Sequence, residues 1–105
     1  MNLVRASLAV AALSVAAVAS AQSGEDLIKK NGCTACHAVD KKVIGPAYQE
    51  VAAKYKGDAK APAYLQNKIK QGGSGVWGPV PMPPNTQVSD ADIKSIVTWI
   101  LALKK

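Results

Sequence analysis

The 105-residue chain has no phenylalanine, a single histidine, a single arginine and only two cysteines. Each scarcity removes a class of function. One arginine, Arg5, cannot supply the bidentate contacts that read phosphates and base edges, and no nucleic-acid-binding motif is present. Cys33, Cys36 and His37 offer three nitrogen or sulfur ligands with no fourth, one short of a structural zinc site. The N-terminal apolar run, Leu8 to Val18, falls well short of the roughly 20 residues that span a bilayer, so stable membrane insertion is not expected. Strand-like alternation is missing as well. That leaves an all-α fold and no βαβ setting for a thioredoxin-like redox pair. Two tryptophans and three tyrosines are the whole aromatic complement. So small a set of bulky side chains predicts that something else completes the core of a small domain.

What is present begins with an address. Residues 1–21 read MNLVRASLAVAALSVAAVASA: a short start with Arg5, an apolar stretch, and Ala19-Ser20-Ala21 in the small-x-small pattern of a signal-peptidase site. Cleavage after Ala21 leaves 84 residues (105 minus 21), one domain over 22–105, and predicts export to the periplasm. That part holds twelve lysines against seven acids, a formal charge of +5 (12 minus 7). Such a surface suits an acidic protein partner.

Helix signals punctuate the rest. Ser23 with Asp26 three residues on reads as a cap for a helix to about Lys30, stopped by Asn31-Gly32. Gly45-Pro46 reads as the start of a second helix, with Pro46 at its first position and Tyr48, Val51, Ala52 and Tyr55 on one face. A third helix is predicted from about Pro62 to Gln71, around Leu65 and Ile69. Ser89 and Asp92 open a fourth, whose stripe is Ile93, Ile96, Val97, Ile100 and Leu101, with Lys104 and Lys105 at its negative end. Between the last two lies a loop over 72–88 rich in glycine and proline, of a length that is usually functional or disordered.

The chemistry is carried by "CTACH", Cys33 to His37. C-x-x-C-H is the attachment motif for c-type haem. The two sulfurs add to the two vinyl groups of the porphyrin, and the histidine that follows is held under the iron. A plain disulfide, the usual reading of two cysteines in an exported protein, would leave His37 without a role. Within residues 22–105 Met82 is the one thioether. It sits in "GVWGPVPMPPN", residues 75–85, where neither helix nor core strand can form. A thioether is a soft, neutral sixth ligand that favours reduced iron and raises the potential.

"CTACH", "GPAY" and "GVWGPVPMPPN", followed by a C-terminal amphipathic helix, resemble the small bacterial class I cytochromes of the c-551 (c8) type over the whole of residues 22–105. The resemblance implies the class I cytochrome c fold, about four short helices around one covalently attached haem c. It implies His37 as proximal and Met82 as distal iron ligand. It further implies that the Pro46 carbonyl accepts a hydrogen bond from His37, that Asn85 donates one to the Met82 sulfur, and that the Trp77 indole bonds a haem propionate. Trp99 is expected to pack structurally against the first helix, and Tyr48 and Tyr55 to serve as wall and core.

The expected function is a periplasmic monohaem electron carrier, not an enzyme. Its donor would be of the quinol–cytochrome c reductase kind, and its acceptor a terminal oxidase or nitrite reductase. It would act as a monomer in oxygen respiration or denitrification. Lys41 and Lys42, with Val43 and Val80, are the expected docking face, their charges speeding encounter more than strengthening binding. The rival is a haem enzyme or gas-ligand sensor with a displaceable sixth ligand. Met82 argues against it, and so does the lack of a second histidine for a distal acid–base group.

Overall fold

The computed structural model describes residues 23–104. The expected signal segment and Lys105 lie outside them. Four α-helices follow one another: α1 (Gly24–Lys30), α2 (Tyr48–Lys54), α3 (Ala61–Gln71) and α4 (Asp90–Leu101), with one 3₁₀ turn at Cys33–Ala35. Among the described residues there is no strand. Among the same residues the extended pairings are two isolated antiparallel bridges, His37 with Lys42 and Gly73 with Met82.

The N-terminal caps read in the sequence form as expected. Ser23 Oγ accepts from the Asp26 amide and Ser89 Oγ from the Asp92 amide, both at 3.1 Å. Each such cap stabilises its helix by about 1 kcal/mol. Asn31 ends α1 by donating its side-chain amide to the Leu27 carbonyl at 2.9 Å, and Gly32 follows at φ 75°.

The start of α2 departs from expectation. Pro46 is not its first residue; Ala47 is the N-cap and the helix begins at Tyr48. No side chain caps it. Instead the amides of Tyr48 and Gln49 donate to the carbonyls of Ala38 and Val39, at 2.9 and 3.0 Å. The free amides of the first turn thus bind the segment after the cysteine motif, and Pro46 is left as an extended lead-in. α3 starts at Ala61 with Pro62 in its first turn, and its buried side is Ala61, Leu65 and Ile69.

α4 is the hub, packed on α1, α2 and α3. Ile93, Ile96, Val97 and Ile100 are at most 5 % exposed, whereas Leu101 is only partly buried. Each such burial contributes about 1.5–3 kcal/mol. Trp99 packs where α1 crosses α4: a Cβ added to Gly24 would overlap the Trp99 Cβ, so the helices approach as closely as glycine permits. Tyr48 meets Trp99 edge to face, with ring centroids 5.6 Å apart. α4 ends before Lys104, so that lysine lies beyond the last turn rather than in it.

Candidate functional site

One side of this core is an open, mainly apolar cleft. Leu65 and Ile69 of α3 and Ile96 and Ile100 of α4 form part of its wall. Cys33, Cys36 and His37 line it from the 3₁₀ turn, and Met82 and Trp77 from the long loop. These residues are distant in sequence, and the fold brings them to one cavity.

The 3₁₀ turn carries the cysteines without pairing them; both thiols are free. Burial pushes the Cys33 thiol up from its ordinary range, partly offset by its hydrogen bond with Tyr48. The Tyr48 hydroxyl is driven up further, first by burial and then by Cys33. Both groups therefore stay neutral around pH 7.

After the turn, the chain loops back on itself. The Cys36 carbonyl accepts from the amides of Ile44 and Gly45, at 3.1 and 2.7 Å. That return sets Gly45 against the imidazole: a Cβ there would stand 2.5 Å from Cε1 of His37 and within 3.0 Å of both ring nitrogens. Pro46 comes next, and its carbonyl lies 2.8 Å from His37 Nδ1. A carbonyl can only accept, so Nδ1 carries the proton and Nε2 keeps its lone pair. A metal-binding imidazole is fixed in this way by its other nitrogen. Tyr48 completes the surroundings, its ring stacked on His37 at 5.0 Å with planes 22° apart.

The loop opposite is ordered by backbone. Gly72 ends α3 at φ 72°, a conformation that favours glycine, and a Cβ there would overlap the Met82 carbonyl. Gly73 and Met82 then exchange two hydrogen bonds, each 2.9 Å. Pro81, Pro83 and Pro84 have no amide proton, so Met82 is the sole backbone donor over 81–84. The Met82 side chain is half-buried against the core.

Asn85 follows the loop's last proline. Its side-chain amide donates to the Ile69 carbonyl at 3.0 Å and the Pro83 carbonyl at 3.2 Å, and its backbone amide also reaches Ile69, at 3.1 Å. These bonds close the loop on α3. Trp77 stands at the rim, 41 % exposed, with the Lys54 ammonium 5.7 Å from its ring.

These features fit a haem. An apolar cleft suits a flat macrocycle, two free thiols sit on one edge of it, and an imidazole presents an unprotonated Nε2. Sequence reasoning missed three contributors: Gly45 and Tyr48 against His37, and Gly73 as the partner of Met82. The "GPAY" stretch was the available signal for the first two.

The cytochrome c family profile matches residues 21–104. Cytochrome c-552 of Nitrosomonas europaea is 58 % identical over 84 residues, covering 80 % of this chain and 82 % of that protein. Cytochrome c-551 of Pseudomonas aeruginosa is 52 % identical over 84 residues, 80 % of each chain. The crystal structure of wild-type Nitrosomonas europaea cytochrome c552 superposes with a TM-score of 0.74 at 59 % identity, covering 76 % of this chain and 99 % of that one.

Proposed function

The chain belongs to the cytochrome c family and carries one covalently bound haem c, and on that premise we propose that it is a periplasmic one-electron carrier with His37 and Met82 as axial iron ligands. The observation that carries this reading is the convergence of Cys33, Cys36, His37 and Met82 on one apolar cleft.

When bound, the haem supplies a reversible one-electron couple at its iron. The residues around it do the rest. Cys33 and Cys36 anchor it through thioethers. His37 offers Nε2 because Pro46 holds the Nδ1 proton. Met82 offers a soft, neutral sulfur suited to the reduced metal. Leu65, Ile69, Ile96 and Ile100 exclude water, which keeps the charge change on the iron in a low-dielectric setting. With His37 and Met82 both held by the iron, no position would remain for a substrate, which is the feature that separates a carrier from an enzyme or gas sensor.

Docking fits the same surface. Val43, Ile44 and Val80 are 47, 54 and 60 % exposed, Lys41 and Lys42 directly precede Val43 in the chain, and Lys42, Ile44 and Val80 all line the cleft. This apolar patch with a lysine edge suits an acidic redox partner, of the reductase kind on one side of the exchange and the oxidase or nitrite reductase kind on the other. The protein would reach the periplasm by cleavage after Ala21 and act there as a monomer. Encounter rates with such partners fall as ionic strength rises; a rate indifferent to salt would remove the lysines from the account.

A spectrum tests the ligation. The oxidised protein should show the weak long-wavelength band of a methionine–iron bond, and Met82→Ala should abolish it while cyanide binding becomes fast. A wild-type protein that is high-spin and binds cyanide readily would sink the carrier reading.

A further inference from the structure

His37 is held at Nδ1 by the Pro46 carbonyl, and its Nε2 is the nitrogen left for the iron. Those two attachments are not collinear, so the Pro46 bond limits rotation of the imidazole plane about the Nε2 axis. Hydrogen bonds are nevertheless tolerant in angle, so a range of orientations stays open. A contact on the face of the ring narrows that range.

Tyr48 does so. Its ring is stacked on the imidazole with planes 22° apart. It is itself buried, only 4 % exposed, and packed edge to face against Trp99. Trp99 in turn is fixed by its close approach to Gly24 of α1. A chain of packed rings therefore runs from the α1–α4 crossing to the imidazole.

We propose that Tyr48, braced by Trp99, is a positioning residue for His37, setting the orientation of the imidazole plane and thereby the orbital order at the iron. This rests on the reading of His37 as the iron ligand. The phenol ring carries the effect, not its hydroxyl.

The test is proton NMR of the oxidised holoprotein: the hyperfine-shifted haem-methyl resonances report the orientations of both axial ligands, and the Met82 ε-methyl resonance shows whether the thioether has moved, which leaves the imidazole as the cause when it has not. Tyr48→Leu should reorder the methyl resonances or change their spread, and Tyr48→Phe should restore the wild-type pattern. Ile93→Ala, a buried change at a residue that does not line the cleft, should lower stability and leave the pattern alone. An unchanged pattern in Tyr48→Leu overturns the proposal, as does the same shift in Ile93→Ala. If Phe shifts the resonances as Leu does, the hydroxyl and not the ring is responsible, and the proposal fails. Should Tyr48→Leu yield no holoprotein, Trp99→Leu decides: removing the brace should move the methyls in a protein that keeps Tyr48, and no movement overturns the role. If the wild-type protein itself lacks a low-spin hyperfine spectrum, it is the axial ligation that fails, not the positioning.

Discussion

The two flanks of the cleft secure their key side chains by different means. On the histidine side, the restraints reach the side chain: a carbonyl on Nδ1, a glycine against the ring and a stacked phenol. On the methionine side they reach the backbone: two bridge hydrogen bonds to Gly73, and an asparagine that ties the following turn to α3. No described hydrogen bond touches the Met82 sulfur. The imidazole is therefore fixed in position and tautomer before any metal is considered, whereas the thioether is brought to the right neighbourhood and left some freedom. A soft ligand tolerates that freedom, since its three rotatable bonds adapt to the metal. The methionine flank should accordingly be the one that yields first under strain.

The strongest way to break the contrast is to cut the covalent anchor. Replacing Cys33 and Cys36 together by alanine should abolish haem staining on a denaturing gel, whereas Met82→Ala should leave it intact. A more discriminating pair is Gly45→Ala against Gly72→Ala. At Gly72 the new Cβ meets the Met82 carbonyl in a left-handed backbone, so stability should fall by about 2 kcal/mol or more, with weakening of the methionine band. At Gly45 the obstruction is the imidazole itself, 2.5 Å away, so the methionine band should persist while the histidine resonances move. Denaturant titration with absorption and NMR readouts separates the two. If both variants lose the methionine band equally, the flanks are not independent. The smallest effect belongs to Pro81→Ala, which restores an amide donor beside Met82 and loosens the unfolded-state restraint. It should cost about 0.5–1 kcal/mol in thermal unfolding.

Much of this arrangement was readable in the amino-acid order. The all-α class, the two serine caps, the α4 stripe and the haem motif are local, because each depends on residues within a few positions of one another. Tertiary contact added what local preference cannot show at three places. Pro46 looks like a helix starter, yet its carbonyl is drawn to His37 and the amides of α2 bind Ala38 and Val39. Asn85 looks like a turn residue, and its amide closes the loop on Ile69. Tyr48 looks like a core residue of α2, and it is, but the same burial lays its ring on the imidazole. Hydrophobic periodicity says which face a residue turns inward, not which partner it meets there.

Composition and spacing alone settled which atoms can serve: two thiols and an imidazole within five residues, one thioether in residues 22–105, and Met82 as the sole amide donor among prolines. These are matters of inventory and covalent structure, and no fold can alter them. Only the packed chain decided how those atoms are presented. The protonated nitrogen of His37, the orientation of its plane and the register of the Gly73–Met82 bridge each depend on groups about ten positions away, across loops whose path no helical periodicity encodes. Such contacts are chosen when those loops pack on the helical core, because the burial that stabilises the core also decides which polar groups face each other.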